Sequence, residues 1–385
     1  MDETLYLDHA ASAPPLPEAL EALVRTAREA YANPGSPHAA GAAAARELEK
    51  ARRDLKAAFG ADRYRVVFTS TGTESDHLGI QGLARRLKDR AGRSGPPRVL
   101  IGAIEHPASR DPARALEAEG FVVQEIPVDA AGVVRTAALQ PLLGADVALV
   151  SVMWANNEIG GLNPVPELVA LTRALAPQAA FHCDAVQAAG KRGESFDQLG
   201  ADSIAVAAHK IGGVRGCAAL FLRLDGPEPV PAFVGGGHEG GLRSGTENVM
   251  GAASFAAAAR VRRARMDQDP RRYLDRRAEL LGLLRRAAPG LVVLGPAEEA
   301  EVQGSILSIA VPGVRAEPLL HRLEAQGIYV GSGSACSHGG HSESPALAAM
   351  GVPVELRNSV LRLSLDGTET TADLRRASAG LAACL

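Results

Sequence analysis

The chain has 385 residues, of which 46% are hydrophobic and 22% are charged, so it is long enough for a large core and for more than one domain. Its formal net charge of -3 gives no reason to expect direct nucleic-acid binding. The four cysteines form no CxxC pair, the first residues lack a signal-peptide pattern, and no apolar run reaches membrane-spanning length. We therefore expect a cytoplasmic protein with neither a disulfide framework nor a membrane partner.

Short apolar runs alternate with amphipathic helical patterns before residue 250. The apolar runs predict seven buried strands, at residues 65–70, 98–103, 121–126, 146–152, 180–185, 203–209 and 217–222. Because these runs are apolar on both faces, they favour a mostly parallel seven-stranded sheet flanked by helices, which is an α/β fold.

The pattern changes after residue 250. A long helical stretch is followed by a smaller set of β and α elements, at residues 305–311, 316–326 and 360–365. We therefore predict a large domain of residues 15–255, which would hold any bound ligand, and a small α+β domain formed by residues 1–14 and 256–385.

Polar groups follow several of the predicted strands, at the point where each strand ends. They are the run TGTESDH after 65–70, IEHPAS after 98–103 and WANNEIGG after 146–152, with Asp184 and Gln187 at the end of 180–185 and His209 and Lys210 at the end of 203–209. Ligands bind outside the carboxyl ends of the strands in open parallel sheets. The sequence therefore predicts a binding site at this edge.

The start of the helix after the first predicted strand has two readings. Thr71 and Glu74, three residues later, fit a capping box. The same turn would also suit a phosphate, because the first N–H groups of a helix are free and Thr71 and Thr73 add hydroxyls. The local sequence leaves both readings open.

Lysine is rare, with five residues in the whole chain. Three of them (Lys50, Lys56 and Lys88) lie in charged helical runs, and the composition around Lys191 predicts a surface turn. Lys210 alone follows an apolar strand directly, which suits an amine that forms a Schiff base. The alternative is an ordinary surface lysine in a turn.

Asp184 ends a predicted buried strand and needs a cationic partner, because an unpaired buried charge is costly. An arginine would serve, and so would a protonated pyridine nitrogen. An acid at one strand end and Lys210 at a later one are what a pyridoxal phosphate site requires.

A series of motifs along the whole chain resembles the cysteine desulfurases, pyridoxal phosphate enzymes of the class V aminotransferase group. The matching stretches are YLDHAASAP near the start, YANPGSPH (31–38), FTSTGTES (68–75), EHPA (105–108), MWANNEIGG (153–161), FHCDAVQAAG (181–190), HKIGGVRG (209–216), GGGHEGGLRSGTEN (235–248), GSGSAC (331–336) and LRLSL (361–365). The resemblance implies removal of sulfur from L-cysteine, giving L-alanine and an enzyme persulfide.

By motif position, the resemblance implies which residues hold the cofactor, pyridoxal 5'-phosphate, in the large domain. Lys210 would form the Schiff base and move the Cα proton, and Asp184 would pair with the pyridine nitrogen. The remaining cofactor contacts would be Gln187 and Asn157 on the phenolic oxygen, His106 stacked on the ring and assisting proton transfer, and Gly72, Thr73, His209 and a partner subunit's Thr246 on the phosphate. The catalytic residues would thus be Lys210, His106 and Cys336.

Substrate and sulfur would be handled by residues of the small domain. Arg362 would bind the substrate carboxylate, with Asn157 helping, since a guanidinium matches a carboxylate in shape. Cys336 lies in the glycine- and serine-rich run GSGSACSHGGHS, which predicts a mobile loop over 331–343. In the family, the loop cysteine attacks the substrate sulfur and carries the persulfide to an acceptor. His338 or His341 would lower its pKa.

Several alternatives remain at this point. Cys336, His338 and His341 have the spacing C-x-H-x-x-H, but three ligands on one loop make a weak site, and we expect no metal. A selenocysteine lyase, a transaminase-like enzyme that ignores Cys336 and a non-catalytic scaffold would share the fold. The resemblance also implies a homodimer and a sulfur-acceptor protein or tRNA-modifying enzyme as partner.

The chain departs from the family pattern at several positions. Ala207 stands where the family has a serine that donates to the phosphate, and Thr71-Gly72 replaces Gly-Ala. His9 and His238 replace an asparagine and a glutamine. The departures at the phosphate predict an effect on cofactor affinity more than on the chemistry.

Overall fold

The computed structural model describes residues 4–91, 95–333 and 344–385. The strands are β1 (Leu5–Leu7), β2 (Tyr64–Thr69), β3 (Arg98–Gly102), β4 (Val122–Ile126), β5 (Val147–Ser151), β6 (Ala180–Asp184), β7 (Ser203–Ala207), β8 (Ala218–Arg223), β9 (Val292–Leu294), β10 (Ile306–Ala310), β11 (Ile328–Ser332) and β12 (Val360–Ser364).

The helices flank these strands. They are α1 (Pro17–Glu29), α2 (Ala39–Phe59), α3 (Gly72–His77), α4 (Leu83–Ala91), α5 (Pro107–Ala115), α6 (Thr136–Leu139), α7 (Val165–Leu175), α8 (Phe196–Leu199), α9 (Val249–Arg265), α10 (Asp269–Ala287), α11 (Ala316–Glu324), α12 (Pro345–Ala349), α13 (Val354–Arg357) and α14 (Thr371–Cys384). Within the described residues, none of them is both long and apolar enough to cross a lipid bilayer.

The larger sheet has seven strands in the order β2-β8-β7-β6-β5-β3-β4. Strand β8 runs antiparallel to both of its neighbours, and all the other pairings are parallel. These strands coincide with the seven predicted ones to within two residues at each end. The predicted α/β fold with a mostly parallel seven-stranded sheet is therefore confirmed.

The smaller sheet has five strands in the order β1-β11-β12-β10-β9. Only the pairing of β1 with β11 is parallel, and the sequence patterns did not predict β1, β9 or β11. Strand β1 carries the start of the described chain into a sheet built from its last third. Helix α9 runs through residue 255, and the predicted domain limits stay a prediction.

Each sheet has its own apolar core. The largest core joins α2 and α9 to the seven-stranded sheet, and in it Phe196 stacks on Phe59 at 5.0 Å and meets Phe221 edge-on at 5.0 Å. A second core under the five-stranded sheet contains Leu280 of α10 and Leu381 of α14. Apolar burial on both faces explains why the strands of the large sheet lack alternating polarity.

A buried ion pair anchors the glycine-rich loop 235–248 to helix α2. Glu239 has φ 49°, a left-handed conformation that is unusual for a residue with a side chain. Its carboxylate accepts two hydrogen bonds from Arg52, at 2.6 and 2.7 Å, and one from the N–H of Phe68 at 3.0 Å. These bonds compensate for the backbone conformation and for the burial of the carboxylate.

The surface position predicted for Lys191 is wrong. Its side chain is buried, because helix α9 covers the turn and Arg262 lies against Gly190. Burial, reinforced by the charges of Arg262 and Lys210, lowers the pKa of the Lys191 ammonium to about 7. Composition suggested a turn correctly, but only the packing of a distant helix buries it.

We expect Arg52→Ala to lower the free energy of unfolding by about 3 kcal/mol, because the buried Glu239 carboxylate would lose its cation. Urea unfolding of the purified protein measures this. The control is Lys50→Ala on the same helix, which removes an exposed pair with Asp54 and should change stability by less than about 1 kcal/mol. Equal effects of the two variants would contradict this account of Glu239.

Lys191 predicts a pH-dependent stability. The pKa of the Lys191 ammonium is about 7 in the folded state and about 10.4 in the unfolded chain. Between these pH values the unfolded chain binds more protons, so the free energy of unfolding rises with pH. Lys191→Met removes this dependence. Urea unfolding at two pH values measures this. The free energy of unfolding of the variant minus that of the wild type should rise by a few kcal/mol when the pH is lowered from about 9.5 to about 7. A difference that is independent of pH would contradict the burial of this amine.

Candidate active site

The carboxyl ends of β2, β3, β5, β6 and β7 lie along one edge of the large sheet, because these strands are mutually parallel. The polar groups predicted to follow them therefore come together. Strand β2 leads into α3, β3 into the turn before α5, and β5 into the turn that contains Asn157.

The start of α3 is capped by Thr71, whose hydroxyl accepts from the N–H of Glu74 at 3.1 Å. The predicted capping box is not formed, because the Glu74 carboxylate accepts from the N–H of Ser70 at 2.7 Å and pairs with Arg243 at 2.7 Å. Thr71 thus caps the helix, while Gly72 and Thr73 occupy its first two positions.

Ala207 faces this helix start. A Cβ built on Gly72 would lie 3.5 Å from the Ala207 Cβ and 3.2 Å from Val186, so Gly72 and Ala207 are close neighbours. The side chain at position 207 therefore lies beside the first residue of α3. The first N–H groups of that helix favour an anion.

Asp184 is buried at the end of β6. Its Oδ1 accepts from the N–H of Val186 at 2.9 Å, and no ion pair includes it among the residues that the structure describes. Burial, together with the nearby Asp76, raises the pKa of its carboxyl to about 7. A ligand cation placed beside it would stabilise the ionised form.

Gln187 adds a buried polar atom to this place. Its Nε2 donates to the carbonyl of Ala10 at 2.9 Å, and its Oε1 has no hydrogen-bond partner within the described part of the chain. Within the described residues, the Gln187 amide thus has an oxygen without a hydrogen-bond partner and the Asp184 carboxylate has no ion pair. Both fit a ring with a polar substituent and a protonated nitrogen. This chemistry matches pyridoxal phosphate.

Lys210 and His209 follow β7 and contact the start of the chain. The Lys210 ammonium donates to the carbonyls of Ala10 at 2.6 Å and Ala11 at 2.9 Å. The Nδ1 of His209 lies 3.2 Å from the hydroxyl of Ser12. Burial, with the charge of Lys210, lowers the pKa of His209 to about 4, so its ring is neutral at pH 7.

His106 begins helix α5. Its Nδ1 accepts from the N–H of Ala108 at 3.1 Å, so the neutral ring carries its proton on Nε2. Burial, followed by the charge of Lys210, lowers the pKa of His106 to about 4. The ring is therefore uncharged at neutral pH and can stack on an aromatic ligand without the cost of burying a charge.

Arg362 is fully buried on β12, in the middle of the small sheet. Its Nη2 donates to Oδ1 of Asp8 at 2.8 Å, and its Nη1 donates to the carbonyl of Asn157 at 3.0 Å. The Nε–H has no partner among the described residues. The Nε–H is thus a donor that a carboxylate could use.

A buried polar network lies behind Asp184. The ring of His182 contacts the Ser203 hydroxyl at 2.7 Å and Asp76 at 3.1 Å, and it fits because Gly79 has no side chain there. Burial raises the pKa of Asp76 to about 8 and lowers that of His182 to about 4. The two form a neutral hydrogen-bonded pair.

Sequence reasoning missed this network and the residues of the chain start that bind Arg362, Gln187 and Lys210. Asp76 directly follows the motif FTSTGTES, and Asp8 stands in the motif YLDHAASAP. Asp8 offered no local signal, because its partner is distant along the chain.

Thr246 is exposed in the glycine-rich loop, where it lines a surface hollow with Glu74 and Arg243. No hydrogen bond joins it to Gly72 or Thr73 within the described residues. Cys336, His338 and His341 lie outside the described residues. Among residues 4–91, 95–333 and 344–385, no three His, Cys, Asp or Glu side chains are arranged to hold a metal ion.

Comparisons with known proteins agree with this geometry. The class V aminotransferase family model matches residues 5–376. The chain is 37% identical over 374 residues to the IscS-like cysteine desulfurase of Mycobacterium tuberculosis, covering 96% of this chain and 93% of that protein. It is 33% identical to cysteine desulfurase IscS of Dictyoglomus turgidum, covering 97% and 92% respectively.

A solved structure of a NifS-like protein superposes with a TM-score of 0.90 at 29% identity, covering 99% of both chains. Its fold is therefore the fold described above. The family match, the relatives and this structure agree over nearly the full length of the chain. The chain belongs to the class V aminotransferase family, and within it to the cysteine desulfurases, which are pyridoxal phosphate enzymes.

Proposed function

We propose that this enzyme removes sulfur from L-cysteine, giving L-alanine and a persulfide on Cys336 that passes to an acceptor. The observation that supports the proposal is that Asp184, Gln187 and Lys210 follow neighbouring strands of the large sheet, while Arg362 of the small sheet donates to the carbonyl of Asn157 in the turn after β5. Such a reaction needs a carboxylate beside the ring nitrogen, an amine that attaches the cofactor and a guanidinium that binds the substrate carboxylate.

The cofactor is proposed to be pyridoxal 5'-phosphate, which when bound withdraws electrons from the substrate Cα. Asp184 would pair with its ring nitrogen and His106 would stack on the ring. Gln187 and Asn157 would bind its phenolic oxygen. The phosphate would be held by the start of α3 and the residues around it, namely Gly72, Thr73, His209 and Thr246 of the partner subunit.

Lys210 would attach the cofactor through its Nζ and would move the proton of the substrate Cα. Its two hydrogen bonds to the carbonyls of Ala10 and Ala11 hold the amine toward the ends of β6 and β7. Arg362 would bind the substrate carboxylate through its Nε–H, which has no partner among the described residues, while Asp8 and the Asn157 carbonyl keep the guanidinium oriented.

The thiolate of Cys336 would form a bond to the substrate sulfur as the bond between that sulfur and the substrate Cβ breaks. The electron pair of the broken bond stays with the carbon fragment, which leaves as alanine after protonation. Cys183 is buried in β6, and burial raises the pKa of its thiol, so it is a poor alternative nucleophile.

A homodimer is the proposed assembly. Phe233 and Val234, which are 60% and 85% exposed, line the same hollow as Thr246, and Tyr31 is 74% exposed. Apolar side chains exposed beside a residue assigned to a neighbouring site suit a subunit interface. The acceptor, in the cytoplasm, would be a protein or a tRNA-modifying enzyme.

Two variants separate cofactor attachment from thiol chemistry. Cys336→Ala should keep the absorbance of the bound cofactor and its spectral change with L-cysteine, yet release no sulfide under reductant, because the attacking thiolate is gone. Lys210→Ala should lose the cofactor label that borohydride traps on the wild type. Sulfide release by Cys336→Ala at the wild-type rate, or a label on Lys191, would contradict these assignments.

Ala207→Ser should tighten the binding of pyridoxal phosphate by roughly tenfold, because a hydrogen bond to a charged group is restored at the start of α3. Titration of apo-protein with the cofactor measures this. Ala208→Ser is the matched control, since its side chain packs against Gly213, and it should bring no gain. Unchanged affinity of Ala207→Ser would mean that position 207 does not serve the phosphate.

A further inference from the structure

The Arg362 guanidinium, which is assigned to the substrate carboxylate, already holds a carboxylate of the protein. Its Nη2 donates to Oδ1 of Asp8 at 2.8 Å, and this is its one ion pair among the residues that the structure describes. Its Nη1 donates to the carbonyl of Asn157 at 3.0 Å, which is a neutral acceptor. Asp8 thus compensates the positive charge of Arg362 before any ligand binds.

The backbone of Asp8 is anchored beside the guanidinium. Its carbonyl accepts from the N–H of Ala11 at 3.0 Å and from the Tyr6 hydroxyl at 3.1 Å. Asp8 also forms an isolated parallel bridge with Ser364, two residues beyond Arg362 on the same strand. These bonds hold Asp8 against the strand that carries Arg362.

Gly331 of the neighbouring strand packs against this ion pair. It pairs with Arg362 across β11 and β12. A Cβ at position 331 would lie 2.7 Å from Oδ1 of Asp8 and 2.8 Å from Nη2 of Arg362, which is too short for atoms that are not bonded. The glycine therefore leaves the space that the two charged groups occupy.

A substrate carboxylate would be the second negative charge on one guanidinium. The Nε–H of Arg362 has no partner among the described residues, so it can donate to this carboxylate while Nη2 keeps its bond to Asp8. The two carboxylates would then share one buried cation. Like charges repel strongly in the interior, because little water screens them, so the repulsion weakens the binding of the substrate carboxylate.

We propose that Asp8 is a positioning residue that orients Arg362 and, through its negative charge, limits the affinity of this site for carboxylate ligands. The proposal rests on the proposed function, in which Arg362 binds the carboxylate of L-cysteine and L-alanine leaves as the product. L-alanine keeps the amine and the carboxylate of the substrate, so a weakened carboxylate site favours its release. Asp8 would act through Arg362 and would not touch the reacting atoms.

Asp8→Asn separates the charge from the hydrogen bond. The amide oxygen can still accept from Nη2 of Arg362, so the guanidinium keeps its orientation while the second negative charge is removed. In the full-length holoenzyme, the dissociation constant of L-alanine should fall by about tenfold, because the repulsion between like charges is gone. The change in cofactor absorbance on addition of L-alanine measures this constant. Unchanged or weaker binding would overturn the proposal, since an orienting role alone predicts no gain.

Ethylamine is the matched ligand, because it has the amine and the methyl group of L-alanine but no carboxylate. Asp8→Asn should leave its dissociation constant unchanged. A tenfold gain for ethylamine as well would mean that the variant acts on the amine or the cofactor, which would contradict the proposal. Asp8→Ala removes both the charge and the acceptor, so it should tighten L-alanine binding less than Asp8→Asn does. An equal gain would overturn the orienting role of Asp8.

The matched protein variant is Asp146→Asn. Asp146 also accepts two hydrogen bonds from an arginine, Arg98, at 2.6 and 2.7 Å, but it lies before β5, at the end of the large sheet opposite to the site. This change removes the same charge far from Arg362 and should leave the affinity for L-alanine unchanged. A tenfold gain here would mean that any lost acidic charge tightens the binding, and the specific role of Asp8 would be wrong.

A double variant distinguishes this proposal from the proposed function. Asp8→Asn combined with Arg362→Gln leaves no unpaired charge at the site, and it should bind L-alanine more weakly than Asp8→Asn alone, because the cation is lost. If it does so while Asp8→Asn alone brings no gain over the wild type, the role of Asp8 is wrong and the proposed function stands. If the double variant binds L-alanine as tightly as Asp8→Asn, Arg362 does not hold the carboxylate, and both proposals are wrong.

Discussion

The burial of one carboxylate, Asp184, is the constraint on which the site depends. A charge in the interior is costly unless a partner compensates for it, and no side chain among the described residues forms an ion pair with this acid. The nearby Asp76 raises its pKa further, and the buried Glu105 adds a third acid to the same region. The carboxyl edge of the large sheet is thus a buried, acidic region in which a cationic ring nitrogen would be stabilised.

Buried hydrogen bonds hold the residues around Asp184 in one arrangement. Met153 donates its N–H to Glu105 at 2.5 Å, and His182 joins Ser203 to Asp76. Such networks stabilise one arrangement because each polar atom that lost its partner would be costly to leave buried. The side chain of Asp184 is therefore presented at a fixed point, as preorganised catalysis requires.

The start of the chain joins the two sheets at the site. Asp8 pairs with Arg362 of the small sheet, whereas Ala10 accepts hydrogen bonds from Gln187 and Lys210 of the large one. The N–H of Ala10 also donates to the Ser364 hydroxyl at 2.9 Å. Residues 8–12 thus fix the distance between the Lys210 amine and the Arg362 guanidinium. They matter to the chemistry through this geometry.

By itself, the sequence determined the seven strands, their mostly parallel arrangement and the edge where the site lies. These properties depend on local features, namely apolar runs and the polar residues directly after them, and the lysine and acid at strand ends could be named for the same reason. The tertiary structure decided which distant groups meet. It buried Lys191 under α9, paired Glu74 with Arg243 in place of the predicted box, and brought Glu158 to Ser344, because hydrogen bonds and burial between residues far apart in the chain leave no periodic trace in the sequence.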